Sequence, residues 1–177
     1  GQRENAFNYS TEVIKASNNG IFPFVDRSLV NGTAQDPDRI FSPEVLFALS
    51  DSQRGELFEE YFDPSLAPNM VFRMETDLLE QTIYGGTGTG GNLDDYRCRS
   101  NWISSGSARY FYKYSDMTES GRIENTMIPL LRLGEMYLIA AESQSNSLAN
   151  GVSYINTLRK NRGVSNLQTL TTTLLQY

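Results

Sequence analysis

Between Ile128 and Gly163 the apolar side chains are spaced as helices space them. Leu130, Leu133, Tyr137 and Ala140 recur at steps of three and four residues, which stacks them along one helical face. Gly134 and Ala141 lie among them and leave room for a neighbour to approach closely. Pro129 suits a first helical turn, where its missing N–H is no loss. After a short polar turn, Leu148, Val152, Ile155 and Leu158 repeat the pattern. Arg159, Lys160 and Arg162 crowd the last turn, where cations complement the helix dipole, and Gly163 supplies the stop. The stretch predicts two amphipathic helices folded back on each other, which is a scaffold and not a catalyst.

Leu130, Leu133, Gly134 and Tyr137 stand in the order large-x-x-Leu-Gly-x-x-Tyr, which resembles the first-helix signature of a tetratricopeptide-type hairpin, with Leu where Trp is usual. Such scaffolds generally need about three repeats to bury their faces. Only one hairpin is legible, so part of the scaffold is expected to be absent and some apolar surface to be left uncovered.

Composition removes several functions. No run of eighteen apolar residues exists, so no segment is expected to span a membrane as a helix. Fifteen basic against twenty-one acidic side chains give a net charge of −6, which disfavours nucleic acid as a partner, because binding it depends on neutralising phosphates. A single cysteine, Cys98, rules out an internal disulfide and argues against a thiolate metal site. The chain has no histidine. Imidazole is the commonest general base near neutral pH and the commonest metal ligand, so Ser-His-Asp, Cys-His and His-metal chemistry are closed to this chain, and no metal or cofactor is expected.

Catalysis would then rest on carboxylates, Lys or Tyr. Glycoside hydrolysis needs two acids facing each other about 5 to 10 Å apart. The adjacent acids, Glu59 with Glu60 and Asp94 with Asp95, point to different sides of any regular element. A solvated helix face for the first pair and a loop or capping role for the second account for them, and no catalytic residue is assigned. Gly86, Gly88 and Gly91 form a G-x-G-x-x-G, but a dinucleotide site needs a strand before it and a helix opening at it. Here a short helix capped by Thr76, Asp77 to Tyr84, precedes the glycines, and a loop is the expectation.

The flanks of that glycine loop carry sugar-binding chemistry. Tyr84 stands before it; Asn92, Asp94, Tyr96 and Arg97 follow it, and Trp102, the only tryptophan, comes a few residues later. Sugars are held by stacking a ring's C–H face on an aromatic plane while Asn, Asp and Arg take its hydroxyls. These six residues are the candidate glycan site. Tyr110, Tyr112 and Tyr114 alternate with Phe111 and Lys113 as a strand with one tyrosine face, expected to be structural.

The expected organisation is one partial domain over 1–177, mainly α. Residues 1–17 and 126–177 form a helical scaffold, and 18–125 a loop-rich binding region with short strands. The first helix, 3 to 17, would pack through Ala6, Tyr9, Val13 and Ala16 and end at Asn19 and Gly20. A strand near Val45 to Leu49 and a helix near Gln53 to Tyr61 follow, and Leu167 to Tyr177 begins another helix.

The run IPLLRLGEMYLIAAE, a helix ending in LRKNRGV, and upstream DDYRCRSNW with YFYKY resemble, in this order, the C-terminal half of SusD/RagB-like proteins. AFNYSTEVIKASNNGIFPF, SPEVLFALS and TDLLEQTIY extend the resemblance over nearly the whole chain. It implies a SusD-like fold and a surface-exposed, lipid-anchored outer-membrane protein that captures oligosaccharide or polysaccharide without cutting it. The partner implied is a SusC-like TonB-dependent transporter, to which the glycan is delivered. Members are longer, and neither a signal peptide nor a lipidated Cys is present, so the chain is either a fragment or a short relative. Ligand positions in the family lie in variable loops, so none transfers by motif. The alternatives are a tetratricopeptide-like adaptor for a protein or peptide and, more remotely, a carboxylate glycosidase.

Overall fold

A computed structural model describes residues 1–30, 36–85, 93–117, 121–144 and 147–167. Its helices are α1 (Gln2–Asn18), α2 (Arg27–Val30), α3 (Arg54–Tyr61), α4 (Tyr96–Ser100), α5 (Leu133–Ser143) and α6 (Leu148–Lys160). Its strands are β1 (Val45–Ser50), β2 (Arg73–Glu75), β3 (Trp102–Ser105), β4 (Ala108–Phe111) and β5 (Met127–Arg132). β1 pairs with β5, and β2, β4 and β3 form a three-stranded sheet in that order. The glycines 86 to 91, Asn92 and the helix expected beyond Leu167 lie outside the described residues. The chain divides into two units, 1–24 with 43–47 and 130–177, and 25–42 with 48–129.

The first unit is helical. Ile14 of α1 meets Leu133, Met136, Tyr137 and Ala140 of α5, and Phe7, Tyr154 and Leu158 pack around them. α5 and α6 run antiparallel at close range. A Cβ added to Gly134 would sit 3.4 Å from Leu158 Cδ1, and one added to Gly151 would sit 2.9 Å from the Ala141 carbonyl oxygen. Arg162, beyond the end of α6, reaches the fully buried Glu44 with both guanidinium ends; Nη1 to Oε1 is 2.7 Å. Helix ends fall where expected: Gly20 and Gly163 adopt φ of 84° and 76° behind α1 and α6.

Three expectations for this stretch need correction. Ile128 to Arg132 is strand, not helix, so Pro129 does not open a helix and Leu130, 53 % exposed, is not on its buried face. A residue before proline avoids the α region, which holds Ile128 extended, and the helix starts only at Leu133. Of the tetratricopeptide-like signature, Leu130 therefore lies on β5, and Leu133, Gly134 and Tyr137 lie on α5. Secondly, α1 packs through Val13 as expected but not through Tyr9, which is largely exposed; Phe7, Ser10, Ile14 and Ser17 complete its inward face. The two serines are small enough for close packing, and Ser10 Oγ donates to the Phe7 carbonyl. Thirdly, α6 faces the core through Gly151, Tyr154 and Leu158, a face turned by about one residue from the aliphatic one.

The second unit holds β2, β3 and β4, with parts of β1 and β5. Val25, Val30 and Phe41 form its small core with Tyr96 against them. Phe41 is wholly buried at φ 58°, a left-handed conformation that a bulky residue adopts only when its surroundings hold it there. Arg54, 3 % exposed, ties α3 down by donating from Nη1 to the carbonyls of Glu124 (2.6 Å) and Met127 (3.1 Å). Asp77 to Tyr84 is a helical turn of wide, π type over Leu78–Ile83. Thr76 does not cap it; its hydroxyl donates to the Ser107 carbonyl. The tyrosine strand stops at Phe111, so of its three tyrosines only Tyr110 is a strand residue.

Candidate functional site

β3 and β4 pair so that Trp102 lies opposite Phe111. Period-two alternation turns Tyr110 into the unit, 6 % exposed, and puts Phe111 on the other face with Trp102, ring centroids 5.1 Å apart. From Phe111 a row of rings continues. Phe62, just beyond α3, is 5.9 Å from Phe111; Phe72 is 5.9 Å from Phe62; and Tyr61, the last residue of α3, is 6.0 Å from Phe72. The Phe72 N–H donates to the Tyr61 carbonyl at 2.7 Å, which fixes the segment before β2 against the end of α3. Phe72 is 64 % and Tyr61 38 % exposed. Five aromatic side chains from α3, β3, β4 and their connections thus share one partly open surface.

At the Trp102 end, polar groups gather. The Tyr84 phenol lies near the Trp102 indole. Burial pushes the Tyr84 pKa up, with the nearby Asp95 charge adding to it, and the Arg97 charge opposes both without cancelling them. The phenol therefore stays protonated, a donor as well as an acceptor. Asp95 caps α4, its Oδ1 accepting from the Arg97 N–H at 2.8 Å. The same buried carboxylate holds the Arg97 guanidinium, Nε to Oδ1 3.0 Å and Nη2 to Oδ2 2.6 Å, which raises the Arg97 pKa. About half of the Arg97 side chain remains exposed. Inside the helical turn the Cys98 thiol is buried and its pKa raised by desolvation, an inert core group.

Of the six residues expected to bind glycan, the structure brings together Tyr84, Arg97 and Trp102. Tyr96 packs on the Val25, Val30 and Phe41 core. Asp94 is well exposed and engaged with Arg99. Asn92 lies outside the described residues. None of Tyr84, Tyr96 or Trp102 is a loop residue: they sit at the end of a helical turn, in α4 and in β3. Sequence reasoning missed Phe111, Phe62, Phe72 and Tyr61, and it left Asp95 with only a capping or loop role. The Phe111 signal was present, since a strand with tyrosines on one face puts its phenylalanine on the other. Phe62 and Phe72 carry no local signal, because only tertiary packing brings them together.

Glu59 and Glu60 are exposed on α3, and Asp95 is committed to α4 and Arg97, so neither acidic pair forms a facing carboxylate dyad. Among the described residues no group of three or more His, Cys, Asp or Glu side chains could hold a metal ion, and no helix is long and apolar enough to cross a membrane.

No family model matches the sequence, and no curated protein matches it significantly. Among solved structures the chain is similar to a SusD-like carbohydrate binding protein from Bacteroides vulgatus ATCC 8482, with a TM-score of 0.57 at 18% sequence identity. The similarity covers 98% of this chain and 36% of that protein, so the chain spans about a third of the neighbour's length and has the fold of that third. The fold is SusD-like, helical with small sheets.

Proposed function

We propose that this chain binds oligosaccharide or polysaccharide without catalysis, through the aromatic row from Trp102 to Tyr61. The row itself carries the proposal. Ring centroids 5.1 to 6.0 Å apart, with neighbouring planes tilted by 36° to 63°, present a partly open aromatic surface on which sugar C–H faces can lie, and Tyr84, Arg97 and the Asp95 carboxylate behind it supply hydrogen-bonding groups at one end. The neighbour of the same fold is a carbohydrate binding protein by its own description, which supports the same reading. The resemblance noted in the sequence extends it to a surface lipoprotein that hands its glycan to a TonB-dependent transporter, with tetratricopeptide-type helices as the rigid support.

Calorimetry against a panel of neutral oligosaccharides tests this. Stacking on one plane contributes about 1–3 kcal/mol by analogy with base stacking, so Trp102→Ala and Phe72→Ala should each weaken binding about tenfold or more. If the folded chain binds no glycan on the panel, or binds one equally well after both changes, the proposal fails.

A second reading has its own observation. Phe7, Ile14, Tyr137 and Tyr154 floor a cavity of about 360 Å³ in the helical unit, rimmed by Asn18, Gln144, Asn150, Ser153 and Thr157. A peptide-binding adaptor would use it. Glycan binding abolished by Tyr154→Ala but untouched by Trp102→Ala would move the site there, and peptide binding without glycan binding would favour the adaptor.

A further inference from the structure

The cleft of the helical unit has a lining of its own chemistry. α1, α5 and α6 all contribute to its wall, and its volume is about 360 Å³. Small-molecule sites run from about 300 to 1,000 Å³, so the cleft has room for a sugar unit or two and not for a folded partner. Asn18 closes α1, Gln144 follows α5, and Asn150, Ser153 and Thr157 stand on α6. The side-chain amides of Asn18, Gln144 and Asn150 make no hydrogen bond with the described residues. Each amide offers two donors and a carbonyl acceptor. Thr157 gives its hydroxyl proton to the Ser153 carbonyl at 2.9 Å and keeps its lone pairs for an incoming donor.

The floor is aromatic. The half-buried Tyr154 ring stands 6.1 Å from Phe7, edge-on at 82°, and 6.3 Å from Tyr137, inclined at 61°. A ring held from both sides loses little freedom when a ligand lies against it.

The lining also excludes. Among the described residues no Asp, Glu, Lys or Arg borders the cleft, so a phosphate, a uronate or a free amino acid would find no counter-charge there. A purely apolar molecule would take water from the amides and return nothing. A peptide brings only one N–H and one C=O per residue, and its side chains would need pockets or charges that this wall lacks. A neutral saccharide meets each condition, with hydroxyls that both donate and accept, C–H faces for the tyrosine, and no charge.

We infer that this cleft is a second site, separate from the aromatic row, that takes a short neutral saccharide. The row belongs to the other unit, and neither site needs the other to bind.

The test follows the side-chain amide signals of the isotope-labelled full chain by NMR as a neutral disaccharide, the matching uronate and an end-capped neutral tripeptide are added in turn. The disaccharide should shift the Asn18, Gln144 and Asn150 signals saturably, about fivefold or more tightly than the other two, and should do the same in Trp102→Ala. Ser153→Trp, at an exposed position on the rim, should fill the cleft and weaken that response about tenfold or more, while longer glycans still bind the row. Gln144→Ala combined with Asn150→Ala trims the rim instead if the tryptophan variant does not fold. Amide signals that no saccharide moves overturn the inference, whatever the row binds. A tighter response to the tripeptide overturns it as well and gives the cleft to a peptide. Shifts that survive both the filled and the trimmed variants put the sugar outside the cleft, and their loss in Trp102→Ala would show that the two sites are one. Row binding that fails while the cleft still responds removes only the reading of the row.

Discussion

Glu44 sits in the helical unit with none of its surface exposed, facing the guanidinium of Arg162. Two charges taken from water together hold each other, and removing one leaves the other stranded at a cost of about 3–5 kcal/mol. Glu44→Gln keeps the shape and removes the charge, so urea unfolding should show a loss within that range; a loss under about 1 kcal/mol would mean that the pair contributes little. Asp38 makes the opposite case. Burial raises its carboxyl pKa, although hydrogen bonds from Ser42 and Ile40 favour the charged form. A carboxyl raised in the folded state takes up its proton more readily when folded than when unfolded, so its contribution declines as pH climbs from the ordinary 3.8 through the raised value. Stability measured across that window should slope downward more in the parent than in Asp38→Asn, and parallel curves would refute this. Neither residue was singled out from the sequence, because a buried charge looks like a surface one until its partner, 118 positions away for Glu44, is known.

α5 and α6 show what spacing reveals and what it conceals. The close approach at Gly134 was legible, and the structure puts Leu158 beside it. The start of α5 was not, because MIPLLR suits a helix's apolar face as well as a strand's, and only the Ile-Pro step separates them. The two glycines predict different outcomes. Alanine at Gly151 would gain about 1 kcal/mol in helix propensity but set a Cβ 2.9 Å from a rigid carbonyl, an overpacking worth about 1–3 kcal/mol. Gly151→Ala should therefore lower the melting temperature. Gly134→Ala meets only the movable ends of Leu158 and Arg162 at 3.4 Å and should be neutral or stabilising. If both variants melt alike, the helices are not in the tight register described.

The row of rings on the β-containing unit has no formal charge of its own, in a chain of net charge −6. Association driven by stacking on uncharged planes is indifferent to ionic strength, unlike attraction between charges, which screening weakens. Affinity for a neutral oligosaccharide should change less than about twofold between roughly 0.05 and 0.5 M sodium chloride, and a tenfold loss would point to Arg97 rather than the rings as the main contributor. Tyr84, Arg97 and Trp102 at one end of this surface were named from the sequence. Its other members were not. Trp102 and Tyr84 were found because they flank a glycine loop, whereas Tyr61, Phe62 and Phe72 join it only after α3 packs near β4.

The helical unit is assembled from distant parts of the chain, because α1 packs on α5 with about a hundred residues between them. During synthesis the first helix leaves the ribosome long before its partner exists, and its apolar stripe must wait uncovered. Local pairings such as β3 with β4 need no such delay. Contacts this distant in sequence slow folding, so the packing of α1 on α5 is expected to form after these local pairings.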